Sequence, residues 1–399
     1  MSSFPQAGHP ASGDDRAFPQ AAGALDGLRV LDLTRVLAGP LCTQLLADHG
    51  ADVLKIEAER GDDTRRLGAP EGDGSAPYFH ALNRNKRAAV LDLASPEGRA
   101  SLLALARDAD VIVENFLPGT MRRWGLGYEE TLAATNPGLI YCTITGFGEV
   151  GPLGGMPGYD AVAQAACGLM SVNGDDRTGP LRTGVPVVDI ASGLYATIGI
   201  LIALNERTRS GRGQRIDATL FDAGLSMLIP HAAEWLMQSR EHVANGNRHP
   251  TVSPYDRFSA ADGEVFIGIL NDRQFQRFGQ VIGEPGLGAD PRFLTNELRV
   301  RHRDALTGLI REKLRTLNGE ALCERLMHEG IPASVVRSVA QAIEHPHATA
   351  RASVCTVGGW RSLANPIRLA RTPASIRRLP PPLDPAARAC WRAEKGVES

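Results

Sequence analysis

The sequence predicts an α/β protein built on a parallel, doubly wound sheet with a second, smaller domain. Three observations carry this. Short strand-like apolar runs alternate with helical patterns through the first half of the chain. A strand–helix–strand unit of about 30 residues opens the ordered region. From about residue 246 the patterning changes to a polar loop, a hairpin signal and a run of helices.

In order, residues 28–33 (LRVLDL) read as a strand, 40–49 as a helix with Pro40 in its first turn, and 51–56 (ADVLKI) as a second strand. Further strands fall at 88–93, 111–113 and 139–145, with a helix over 96–107. The segment VPVVD, ending at Asp189, leads into an apolar helix over 190–207. Ser192, Ala196, Gly199 and Ala203 share one face of it and permit close packing. A turn at 210–214 precedes a strand at 215–218 and another helix. Asp262-Gly263 marks a hairpin, and the last 50 residues return to short strands such as 367–369 before the prolines at 380–382. The domain expectation is a disordered tail over 1–24, a large domain over 25–225, a linker helix over 226–245, a small domain over 246–335, and a return to the large domain over 336–399.

Composition excludes several function classes. The 43 Lys+Arg and 45 Asp+Glu leave a net charge of −2, which supplies no general attraction for nucleic acid. Six scattered cysteines without a CxxC pair fit a reducing compartment. The first 24 residues lack the apolar core of a secretory signal. The charge-free run 190–205 falls short of the ~20 residues that span a bilayer, so a cytoplasmic protein without membrane contact is expected.

Three polar clusters sit where strands end, the position at which parallel sheets bind ligands. Thr34 to Pro40 opens a helix with small residues and free amides suited to phosphate, although it is not GxGxxG. Asn83-Arg-Asn-Lys-Arg87 concentrates basic side chains. Glu114-Asn-Phe-Leu-Pro-Gly119, followed by Arg122 and Arg123, adds an aromatic ring. Any one of these is equally a tight connection or a solvated face. Asp189, at a helix start beside an apolar run, is a candidate nucleophile that the helix dipole and amide donors would hold ionised; a plain N-cap is the competing reading. Asp160, in Pro157-Gly-Tyr-Asp160, is a second carboxylate of interest. His345-Pro-His347 has no carboxylate or cysteine at ligand spacing, so no metal site is expected.

Several stretches, taken in order, resemble the family III CoA-transferases, which include formyl-CoA transferase, carnitine CoA-transferase and the α-methylacyl-CoA racemases. They are LRVLDLTRVLAGPLCTQLLADHGADVLKIE (28–57), LNRNKRAAVLDL, VENFLPGTMRRWGLGYEE (113–130), NPGLIYCTITGFG, PGYDAVAQAACGLM and SGRGQRIDATLFDAGLSML. The resemblance implies a Rossmann-like large domain, a smaller inserted α+β domain and a homodimer of interlocked rings. It implies a CoA-transferase with Asp189 as nucleophile, acyl-CoA and carboxylic acid as substrates, and no permanently bound cofactor. It assigns CoA contacts to Val36, Leu37, Ala38, Asn83, Lys86, Asn115, Phe116, Arg123, Tyr159 and Asp160. The arginine that relatives carry after KIE is Ala58 here, which leaves Arg60 to take over its contact. The family's closing segment is also replaced, by Leu383 to Cys390.

The implied chemistry is an aspartyl anhydride followed by an aspartyl-CoA thioester, with amides near Gly158 or Gly193 as candidate oxyanion donors. Racemases carry Gly-His-Asp where this chain has Gly158-Tyr159-Asp160, and a tyrosine is a poor base at neutral pH, so transfer is favoured over racemisation. A non-catalytic CoA-binding protein is the third reading. Middle-domain segments resemble members that use succinyl-CoA and short dicarboxylates, and Arg248, Arg257 and Arg273 are candidates for a distal carboxylate.

Overall fold

In the computed structural model, which describes residues 23–391, the chain divides into two compact units. The larger reaches to Leu169, takes up again over Arg182–Arg240 and returns from Thr349; the smaller is Met170–Leu181 with Glu241–Ala348. The expected tail falls, up to residue 22, outside the described residues. The described residues begin at Gly23, whose carbonyl accepts the Asp26 amide hydrogen and where a Cβ would lie 2.2 Å from the His49 carbonyl oxygen.

The larger unit is organised by six parallel strands: β1 (Arg29–Asp32), β2 (Asp52–Glu57), β3 (Arg87–Val90), β4 (Val111–Glu114), β5 (Ile140–Thr145) and β6 (Arg215–Thr219). Their spatial order is β3-β2-β1-β4-β5-β6. The strands read as continuous apolar runs because both faces are covered. Val30, Val53, Val111, Val113 and Ile140 pack on one side, and Leu31, Leu54, Ile112 and Tyr141 on the other. Helix α1 (Ala38–Asp48) follows β1, α2 (Pro77–Leu82) precedes β3, and α3 (Pro96–Ala106), capped by the Ser95 hydroxyl, follows β3. Helix α4 (Asp160–Ala166) and the long α5 (Val187–Ser210) lie between β5 and β6; α6 (Leu220–Ser226) and α7 (Ile229–Gln238) follow β6.

The order has a consequence for ligands. The chain winds outward from β1 through β2 to β3, then returns to lay β4 on the other side of β1. The connections leaving β1 and β4 therefore diverge, and a crevice opens at their carboxyl ends.

Helix α5 is longer than the sequence suggested, because it begins before Asp189 and runs on through Arg207. At 24 residues it is long and apolar enough to cross a membrane by length and composition. In this fold Ser192, Ala196 and Ala203 are buried, and the helix packs on α1, α6, β5 and β6. The closest approach is at Gly193, where a Cβ would stand 2.6 Å from the Ala38 carbonyl oxygen. The opposite face leaves Leu194, Tyr195, Ile198, Leu201 and Ile202 exposed.

The smaller unit pairs Tyr255–Ser259, Glu264–Gly268 and Ala333–Val335 in an antiparallel sheet, with a helical core around Phe275, Phe278, Phe293 and Leu306. It gathers in residues 170–181 because the Gly246 amide bonds the Gly174 carbonyl at 2.6 Å. The helix Ile229–Gln238 belongs to the larger unit. Near the C-terminus the hairpin is Val354–Val357 with Trp360–Leu363, and residues 367–369 are not a strand. The last segment returns to the first strand–helix unit, with the Asn85 amide on the Arg378 carbonyl and the Arg65 guanidinium on the Pro381 carbonyl.

Candidate active site

Two of the three predicted clusters meet at the crevice. Asn115, one residue past β4, accepts the Arg35 amide hydrogen at 2.9 Å and donates to the Arg35 carbonyl at 2.7 Å. The loops after β1 and β4 are thus fastened by a reciprocal pair. Phe116 stands edge-on to Trp124 at 5.2 Å, and the Arg35 guanidinium lies 5.5 Å from its ring. Val36 adopts φ 70°. That left-handed region is an outlier for a β-branched residue and costs of the order of 1–3 kcal/mol, a strain that gathers at functional sites. Leu37 and Ala38 continue into α1, both buried.

The third cluster lies beneath this turn. Lys86 is fully buried, and its ammonium donates to Asp32 Oδ2 at 2.9 Å, to the Pro40 carbonyl at 2.9 Å and to Asn83 Oδ1 at 2.8 Å. All three of its protons are used. Asn83, also buried, spends its amide group on the Phe79 carbonyl. A phosphate would reach either side chain only by breaking these bonds, so both support the turn. Lys86 and Lys55 hold the Asp32 carboxyl down at about 2 despite its burial, while burial lowers Lys86 to about 8. The sequence left a phosphate-holding basic loop and a solvated face both open; the burial of Asn83, Arg84, Asn85 and Lys86 excludes the solvated face.

Asp189 is the third residue of α5 and is half-buried. The first-turn amides of the helix do not serve it. Asp160 Oδ1 accepts the Val188 and Asp189 amide hydrogens at 2.8 and 3.1 Å, and Asp160 Oδ2 accepts from Gln164 Nε2 at 2.5 Å. No hydrogen bond or ion pair to the Asp189 carboxylate forms among the described residues. Burial first, and the neighbouring Asp160 charge second, push Asp189 up to about 7. This reverses the expected lowering: the helix dipole and its donors stabilise Asp160 instead. Asp160, at the first position of α4, therefore positions the start of α5.

Tyr78, in α2, is half-buried, and its phenol is raised by burial and by the charges of Asp189, Asp160 and Asp62. Asp62 in turn accepts the Val36 amide at 3.3 Å. Together with the Gly193–Ala38 contact, this places Asp189 and the strained turn in one neighbourhood.

The remaining predicted residues are more peripheral. Arg60 and Arg123 are exposed, the latter bonded to the Thr120 hydroxyl, and Tyr159 is 70% exposed. Gly193 lies inside α5, so its amide belongs to the helix ladder and is not free for an oxyanion. Gly158 packs against the Gly146 backbone. In the smaller unit Arg248 pairs with Asp256 and Asp304 and Arg257 with Glu264, while Arg273 is exposed and makes no ion pair among the described residues. Sequence reasoning missed Arg35, Asp62 and Tyr78. Arg35 was discoverable from its place inside the first cluster; the other two act through contacts that no local pattern announces.

The fold is that of a mixed α/β protein with a central parallel sheet of six strands, and comparison identifies its family. Residues 25–385 match CoA-transferase family III, and the chain belongs to that family. It is 40% identical to succinate–glutarate CoA-transferase of Agrobacterium fabrum, over 84% of this chain and 85% of that one. It is 39% identical to acetyl-CoA:oxalate CoA-transferase of Acetobacter aceti, over 87% and 89%. A crystal structure of a CAIB/BAIF family protein from Brucella suis superposes with a TM-score of 0.85 at 40% identity, covering 92% of this chain and 97% of that one. The protein is an enzyme of the CoA-transferase type.

Proposed function

We propose that this enzyme moves CoA from succinyl-CoA or another short acyl-CoA to a short dicarboxylate, with Asp189 as the covalent nucleophile. The observation that carries the reading is a half-buried carboxylate without a hydrogen-bond partner among the described residues, lifted to about 7 and set beside a strained turn at the sheet's switch point. An unsolvated carboxylate is a better nucleophile than a hydrated one and is still ionised in useful proportion at neutral pH.

The Asp189 carboxylate attacks the donor thioester carbonyl, the C–S bond breaks, and CoA leaves as thiolate from a mixed anhydride. The thiolate then attacks the aspartyl carbonyl, giving the aspartyl-CoA thioester and releasing the donor acid. An acceptor carboxylate attacks that thioester to form a new anhydride, and the thiolate takes its acyl group. Asp189 is returned as carboxylate. Each step exchanges groups at the thioester or anhydride level, so no single barrier carries the whole exchange. The Val36–Ala38 turn, Asn115 and Phe116 supply the CoA contacts, with Arg60 and Arg123 at the exposed rim. The exposed apolar side of α5 supports a homodimer in which a second copy covers it. Both transferases named above carry a dicarboxylate in their names, which supports a dicarboxylate acceptor.

The test is incubation with paired acyl-CoA donors and carboxylate acceptors, reading acyl-CoA products by mass spectrometry. Hydroxylamine added with acyl-CoA should convert Asp189 to its hydroxamate in a digested peptide. Transfer without any label on the Asp189 peptide would remove the covalent assignment.

A further inference from the structure

Beneath the turn after β1 lies a buried ion pair to which the transfer steps assign no part. Lys55 and Asp62 are 0% and 1% exposed, and Lys55 Nζ stands 3.0 Å from Asp62 Oδ2. Each also grips the turn. Lys55 donates to the Thr34 carbonyl at 2.7 Å, and Asp62 Oδ1 accepts the Val36 amide hydrogen at 3.3 Å. The two ends of Thr34–Val36 are therefore tied to one ion pair. We propose that Lys55 and Asp62 are positioning residues that clamp Val36 in its left-handed conformation and so preset the 36–38 turn for acyl-CoA. The proposal rests on the reading above that this turn contacts CoA.

The clamp is itself fixed from behind. The Asp62 amide donates to Glu57 Oε2 at 2.7 Å, and Arg65 holds the same Glu57 through two bonds, Nε to Oε2 at 2.9 Å and Nη2 to Oε1 at 2.6 Å. Thr64 adds its amide and hydroxyl to Asp62 Oδ1. A buried ion pair adds little net stability over an apolar pair of the same volume. What this one supplies is direction: a charged acceptor and a charged donor at two fixed points of a backbone that would otherwise relax to negative φ. Residues 55 and 62 flank the end of β2, next to β1 in the sheet, so the strand pairing Asp32↔Lys55 sets their reach.

The test is a double-mutant cycle between Asp62→Ala and Val36→Gly, read as KM and kcat for donor and acceptor separately. Asp62→Ala should raise the acyl-CoA KM by about tenfold and leave kcat and the acceptor KM within about twofold. With glycine at position 36, which adopts positive φ without a clamp, the same substitution should cost less than about threefold. Equal penalties in the two backgrounds, or an unchanged acyl-CoA KM, would overturn the clamp. If Asp62→Ala fails to fold by circular dichroism, the double substitution Lys55→Met with Asp62→Leu, which removes both grips on the turn and leaves no unpaired buried charge, runs through the same cycle, where equal penalties or an unchanged KM again overturn the clamp. Phe116→Ala separates the two readings. Weaker CoA binding in Phe116→Ala with none in Asp62→Ala overturns the clamp alone; unchanged binding in Phe116→Ala overturns the crevice reading and the clamp with it.

Discussion

Asp160 and Asp189 share one helix terminus, and only Asp160 receives its amides: Asp160 Oδ1 accepts the backbone hydrogens of Val188 and of Asp189 itself at 2.8 and 3.1 Å. One carboxylate is thereby a hydrogen-bonded anchor and the other an unsatisfied charge beside it.

Asp189→Asn is expected to abolish transfer, with a loss far beyond tenfold, while CoA binding persists. The same substitution should stabilise the protein at alkaline pH. Asp189 is raised from 3.8 to about 7, so the folded state holds its proton more tightly than the unfolded state. Stability from this group is full below pH 4 and is lost as pH rises from about 4 to 7. Melting temperatures of the two proteins should coincide near pH 4, part as pH rises towards 7 and stay apart above it. The ceiling is about 4 kcal/mol, less what solvent relieves at a half-buried group. A parent as stable as the variant at pH 8 contradicts the burial argument.

Asp160→Asn keeps the acceptor oxygen for both amides and removes the charge. The Asp189 carboxyl should titrate lower while staying above the ordinary carboxylate range, because burial remains the larger cause. The rising limb of kcat/KM against pH, which reports the ionised nucleophile in the free enzyme, should move to lower pH. A limb that stays put or moves upward shows that Asp160 does not set the field at Asp189.

Gly193→Ala forces a methyl group 2.6 Å from the Ala38 carbonyl, which is backbone and cannot rotate aside. Overpacking of this kind costs about 1–3 kcal/mol. Because Ala38 closes the strained turn, the acyl-CoA KM should rise along with the loss of stability, measured by denaturant unfolding and initial rates. A stable variant with parental KM shows that α5 does not brace the turn.

Glutarate or succinate should exceed butyrate as acceptor at least tenfold in kcat/KM, since a charged hydrogen bond to the second carboxylate contributes about 1.5–3 kcal/mol. Equal rates with mono- and dicarboxylates in the parent would sink the acceptor preference and leave the family assignment standing.

The sequence by itself determined the sheet, the order of its elements and the family, because apolar runs, helix spacing and contiguous motifs are local and survive without contacts. It also singled out Asp189 and the three strand-end clusters, since a carboxylate at a helix start and polar residues after a strand are visible in one dimension. Only the tertiary structure decided what each group does. Whether Lys86 faces solvent or spends all its protons under β1 depends on Asp32, 54 positions away. Whether Asp189 is lowered or raised depends on Asp160, 29 residues away, taking the amides first. Desolvation and charge act through space and fall off over a few ångströms, so the field at a site is set by which residues the fold brings there, a quantity that no spacing along the chain encodes.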